Sequence, residues 1–183
     1  MRPWGERTRF YAAARFRGAH RPTRATTAAK YNPGQADADS DGIGDACDNK
    51  PPDCTAARAD VRRIWPPNHE WTDVTAIGVS DPEGQPVSIV VTAVRQDEPV
   101  NGRGDGDTSP DGVLLDGKAS VRAERQGGGD GRVYHVSFTA TDAAGGTCTG
   151  TVKACVPNSA SQTACVDGGP LYDSLETASG GRR

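Results

Sequence analysis

Asp37, Asp39, Asp41, Asp45 and Asp48 stand at positions 1, 3, 5, 9 and 12 of a twelve-residue window, with Gly42 at position 6. A hard cation such as Ca²⁺ takes six to eight oxygen ligands, and carboxylates at this spacing can wrap a short loop around one ion. Asp37, Asp39 and Asp41 are expected to ligate first. Gly42 supplies the sharp turn, and Ile43 offers its backbone carbonyl. Asp45 binds directly or through a water, and Asp48 closes the cage. Five carboxylates this close repel one another without a cation, so metal binding and loop folding should be coupled.

A second acidic loop runs from Asp97 to Asp107. Asp105, Asp107 and Asp111 could hold another cation, but their spacing matches no known cage, and a turn-rich loop is the simpler reading. Within it, Arg103-Gly104-Asp105 spells the tripeptide that integrins bind, a motif short enough to arise by chance. His20, His69 and His135 do not cluster with cysteines at zinc spacing, so satisfied or exposed histidines are expected. Trp65 and Trp71 flank the Pro66-Pro67-Asn68 turn and could form a sugar platform, although aromatics at a strand junction more often enter a core. No Gly-x-Ser-x-Gly, phosphate loop or nucleotide fingerprint is present, and nothing sets two carboxylates across a cleft. The chain is therefore expected not to be an enzyme.

The elements that position these groups are short strands. Tyr134, Val136, Phe138 and Ala140 alternate with His135, Ser137 and Thr139, which predicts a strand with one buried and one wet face. Val87, Ile89, Val91 and Ala93 give a similar run, with Val90 and Val94 making it apolar on both faces. Further strands are expected over Asp60–Trp65, Trp71–Val79, Gly112–Leu115, Lys118–Arg125 and Thr147–Val156. Turn residues fall between them at 81–84, 127–131 and 142–146. Some seven short strands in this span predict an all-β fold, an immunoglobulin-like antiparallel β-sandwich over 54–157 preceded by an irregular calcium-binding loop.

Five cysteines in a turn-rich chain suggest an oxidising compartment. In Thr147–Val156, Cys148 is in phase with Val152, Ala154 and Val156, whereas Cys155 is in phase with Thr149, Thr151 and Lys153. The two thus point to opposite faces and cannot readily pair with each other. Cys54 with Cys148 and Cys155 with Cys165 are the expected bonds, with Cys47–Cys54 as the alternative; residues 158–183 form a tail, pinned in part by Cys165 and frayed from 166 onward. No apolar run reaches the length of a membrane span. Residues 1–30 hold seven Arg and one Lys against one Glu, about +7, which leaves about −10 on 31–183. An acidic body argues against nucleic acid as a partner.

Two resemblances refine this reading. The flanks Tyr31-Asn32-Pro33-Gly34-Gln35 and Asn49-Lys50-Pro51-Pro52 exclude the helices of an EF-hand or a dockerin repeat, because proline removes a donor and restricts the residue before it. Residues 31–50, with Asn32-Pro33-Gly34-Gln35-Ala36-Asp37 leading into Asp48-Asn49, instead resemble a thrombospondin type 3 repeat. That resemblance implies an extracellular Ca²⁺ loop, ligand roles for the five aspartates and a disulfide role for Cys47. The stretches Trp65-Pro66-Pro67-Asn68-His69, Asp97-Glu98-Pro99-Val100-Asn101-Gly102, Gly104-Asp105-Gly106-Asp107-Thr108, Arg122-Ala123-Glu124-Arg125 and Thr139-Ala140-Thr141-Asp142 resemble a bacterial secreted module of immunoglobulin-like or HYR-like type. Such modules are spacers, adhesive units or accessories of hydrolases.

Residues 1–30 carry no apolar signal-peptide core and are expected to be a disordered basic segment. A nucleic-acid arm, a transit-like segment and a non-native start are the readings open for it. The third has a concrete form: bases encoding Thr26-Thr27-Ala28 can read Asp-Asn-Cys in a shifted frame, the residues that precede Asn-Pro-Gly-Gln in the repeat family. The expected function is a calcium-binding, non-catalytic spacer or adhesion module of a secreted or cell-surface bacterial protein. Its partners would be neighbouring modules and an extracellular protein or polysaccharide. The alternative is a carbohydrate-binding accessory of a secreted hydrolase.

Overall fold

The structure, a computed structural model, describes Asp37, Ser40, Gly44 and residues 47–176. The basic segment 1–30 and its proposed frame change lie outside the described residues. The chain divides into two units, residues 1–48 and 49–183. In the first, the Gly44 carbonyl accepts from the amides of Cys47 at 2.6 Å and Asp48 at 3.2 Å, closing a turn.

The second unit is all-β. Its strands are β1 (Arg58–Ala59), β2 (Trp71–Val74), β3 (Ala76–Ile77), β4 (Ser88–Gln96), β5 (Gly112–Leu115), β6 (Lys118–Arg122), β7 (Arg132–Thr141), β8 (Thr147–Val156) and β9 (Tyr172–Asp173). They make antiparallel sheets with the orders β8-β7-β4-β9, β2-β6-β5 and β1-β3. No helix occurs among the described residues. One core receives Val91, Val94, Val136, Phe138, Ala140 and Val152 from the four-stranded sheet and Val74, Ala119 and Val121 from the three-stranded one. Gly150 lies opposite Phe138, whose ring fills the space a side chain at 150 would need.

Four expectations are corrected in detail. Asp60–Trp65 is not a strand; it contributes a single parallel bridge, Arg63 to Cys155. Asp60 is the reason for a second break, because its carboxylate accepts from the Thr75 amide at 2.8 Å and the Thr75 hydroxyl at 3.0 Å. Thr75 is thereby drawn out of the ladder, and the expected strand 71–79 splits into β2 and β3. In β4 a bulge between Val91 and Ala93 shifts the phase. Val91 and Val94 are both buried, while Val90 faces solvent. The 166–183 stretch is ordered as far as it is described. Arg95 donates to the carbonyls of Pro170 at 2.9 Å and Leu171 at 3.0 Å, and β9 then adds to the edge of β4.

Two disulfides join these parts. Cys54 bonds Cys148 and Cys155 bonds Cys165, while Cys47 is free and exposed. Both bonds land on β8, near its two ends.

Candidate functional site

Of the twelve-residue acidic window, Asp39, Asp41, Ile43 and Asp45 lie outside the described residues, as does Gly42. Asp37 is half-buried, Ser40 is exposed with φ of 63°, and Asp48 is half-buried. The donor set is made of hard oxygens, which suits Ca²⁺ better than a soft metal.

The second acidic stretch folds around an arginine. Arg132, the first residue of β7, is fully withdrawn from solvent. Its Nη1 lies 2.6 Å from Asp111 Oδ2 and 3.7 Å from Glu124 Oε1, its Nε 3.3 Å from Glu98 Oε2, and its Nη2 3.5 Å from Asp105 Oδ2. Nη2 also donates to the Pro99 carbonyl at 3.2 Å. A planar five-donor guanidinium can serve this many acceptors at once, which a lysine cannot. The surrounding chain is shaped to present them. Asp105 accepts from the amides of Gly102 and Asp107, Glu98 accepts from the Gln126 amide at 2.7 Å, and Gln96 Nε2 donates to Asp111 Oδ2 at 2.6 Å.

Four carboxylates against one guanidinium leave excess negative charge in a dry place. Burial pushes the Asp111 carboxyl up to about 7, against the opposing pull of Arg132 and Gln96 and with added push from Glu124 and Asp105. Asp111 Oδ1 is buried without a hydrogen-bond partner, which further disfavours the ionised form. Burial works against the charge on Arg132, yet its acidic neighbours and Tyr134 hold it above the ordinary arginine range. Burial likewise raises the Tyr134 hydroxyl, which donates to the Arg122 carbonyl at 2.9 Å.

Of the three residues considered for a second cation, Asp105 and Asp111 thus meet at Arg132, which takes a cation's place between them. Asp107 is exposed and reaches the cluster only through its amide. Among the described residues, no three His, Cys, Asp or Glu side chains are grouped so as to hold a metal. The Arg103-Gly104-Asp105 tripeptide has its carboxylate buried in the same network. Arg132, Glu98 and Glu124 were missed in the sequence. A signal was present: Arg132 is in phase with Tyr134, Val136, Phe138 and Ala140, the buried face of β7.

The two histidines among the described residues are both partnered. His69, held at φ of 65°, places Nδ1 3.1 Å from Glu124 Oε2, and the Thr108 hydroxyl donates to the same oxygen. His135 is buried, with Nε2 2.8 Å from Asp167 Oδ1, and Lys153 Nζ sits 2.5 Å from Asp167 Oδ2. Burial opposes the Asp167 charge, but the bonds from Lys153, the Gly169 amide and His135 hold it down at about 2. His20 lies outside the described residues.

Trp65 and Trp71 are 40% and 41% exposed, so neither enters the core. Each carries a guanidinium: Arg63 lies 5.4 Å from the Trp65 ring centroid and Arg122 4.3 Å from that of Trp71. Arg122 is fixed there by the Pro110 carbonyl at 2.9 Å.

The two disulfides point to an extracellular or otherwise oxidising environment. No helix among the described residues is long and apolar enough to cross a membrane. No protein-family model, no curated protein and no solved structure matches the chain significantly.

Proposed function

We propose that the chain is a non-catalytic structural module of a secreted or cell-surface protein, a spacer or adhesion unit. In this reading a calcium-binding, thrombospondin type 3-like loop over 31–50 precedes an immunoglobulin-like β-sandwich. One core fed by two antiparallel sheets supports the sandwich. Asp37, Asp39, Asp41, Asp45 and Asp48, with the Ile43 carbonyl, would hold the ion, and their mutual repulsion is what calcium relieves.

The observation that carries the spacer reading is the placement of the disulfides. Cys54 is bonded to Cys148 near the start of β8, and Cys165 is bonded to Cys155 near its end. Tension applied between the entering and leaving chain therefore runs through two S–S bonds and the stretch of β8 between them. The sheets' hydrogen bonds are bypassed. This is the wiring expected of a unit that must transmit load without lengthening.

Single-molecule pulling on the oxidised and reduced protein tests it. The oxidised chain should extend little between residues 54 and 165. Reduction should release the 94 residues bridged by Cys54–Cys148, on the order of 30 nm of contour. An oxidised protein that lengthens as much as the reduced one would refute this role in transmitting tension. A second reading, a carbohydrate-binding accessory, is favoured by one specific feature: Trp65 and Trp71 keep large parts of their rings in solvent.

A further inference from the structure

A cavity of about 520 Å³ opens beside the Cys155–Cys165 disulfide, and its charged walls are Arg62, Arg63, Lys153 and Asp167. Residues 49–176 contain eleven Lys and Arg against eighteen Asp and Glu. Three of those eleven cations gather here around one carboxylate, so the cavity reverses the sign of the body around it. Asp167 is already neutralised locally by Lys153 and hydrogen-bonded by His135 and the Gly169 amide. Arg63 is braced by the carbonyls of Gln162 at 3.1 Å and Ala160 at 2.8 Å through Nε and Nη2, which leaves Nη1 for another acceptor. Arg62 is exposed, and its guanidinium has no partner among the described residues. An isolated surface arginine would mean little. With Lys153 spent on Asp167, a braced arginine and an unengaged one on the same cavity remain as donors for an incoming anion.

The Arg63 guanidinium also lies near the half-exposed Trp65 ring. An aromatic face offers an apolar platform for a pyranose ring, and the arginines offer paired donors for a carboxylate. We propose that this cavity binds an acidic polysaccharide, a uronate-containing glycan, with Arg62 and Arg63 on the carboxylate and the Trp65 ring, which adjoins Arg63 outside the cavity walls, against a neighbouring sugar. The proposal rests on the surface-module reading and names its ligand class. Its failure leaves the pulling and calcium results untouched, so the two are separable.

The test is calorimetric titration of the full oxidised chain with a hyaluronan hexasaccharide, with neutral chitohexaose, and with polyglutamate of matched charge. The uronate glycan should bind and the other two should not. Arg62→Glu should weaken binding at least tenfold, and Trp65→Ala should weaken it several-fold while leaving the melting temperature unchanged. Arg62 is exposed and unengaged, so its replacement tests recognition rather than folding. Equal binding of chitohexaose, equal binding of polyglutamate, or hyaluronan binding that survives Arg62→Glu would each overturn the proposal. So would no binding of hyaluronan at millimolar concentration.

Discussion

Arg132 Nη1 and Asp111 Oδ2 lie 2.6 Å apart with both residues fully withdrawn from solvent. The pair joins the start of β7 to the residue just before β5 and holds the acidic loop against the sheet. Buried ion pairs gain little when both partners are present, but removing one leaves an uncompensated charge. Arg132→Ala leaves Glu98, Asp105, Asp111 and Glu124 facing one another. It should cost about 3–5 kcal/mol in urea unfolding. Arg132→Lys should recover part of this, because one ammonium cannot reach all four acceptors.

The same pair sets a pH dependence. Asp111 titrates at about 7 in the fold against an ordinary value of 3.8, so the folded state keeps a proton that the unfolded chain releases. Stability should therefore fall as pH rises from about 4 to about 7 and level off above that. The groups facing Asp111 are Arg132, Glu124, Asp105 and Gln96. In Asp111→Asn the slope between pH 5 and pH 8 should flatten, as read by urea midpoints across that range. Asp167 acts with the opposite sign: its folded value of about 2 gives stability that is lost as pH falls toward 2.

The two disulfides should differ in worth. Cys54–Cys148 closes a 94-residue separation and Cys155–Cys165 one of 10. Loop-closure entropy gives about 5 and about 3 kcal/mol respectively. Thermal melts of Cys54→Ser/Cys148→Ser and of Cys155→Ser/Cys165→Ser should rank in that order. The first pair should lower the melting temperature more.

Calcium titration of the full chain should show one site in the range of about 10⁻⁴–10⁻³ M, as extracellular calcium loops do. Asp41→Ala should abolish it. Asp105→Asn and Asp107→Asn should leave the stoichiometry unchanged, since Asp105 is engaged with Arg132 and Asp107 stands apart in solvent. A second site lost in Asp105→Asn would reinstate the 105–111 loop as a metal ligand.

Local pattern by itself determined the all-β character, the strands at 112–115 and 147–156, and the opposite facing of Cys148 and Cys155. These follow from a two-residue period, which needs no knowledge of distant neighbours. Tertiary structure decided the rest. The Val91–Ala93 bulge depends on how β4 meets β7, and β9 exists because Arg95 takes the carbonyls of Pro170 and Leu171. The break at Thr75 comes from a carboxylate fifteen residues earlier. The Arg132 cluster gathers acids from 8 to 34 residues away in sequence. Its trace in the chain is a charge in phase with an apolar face, which says that the charge is buried but not which partners neutralise it. Coulomb attraction and burial act through space, so only the folded chain chooses among twenty-four acids.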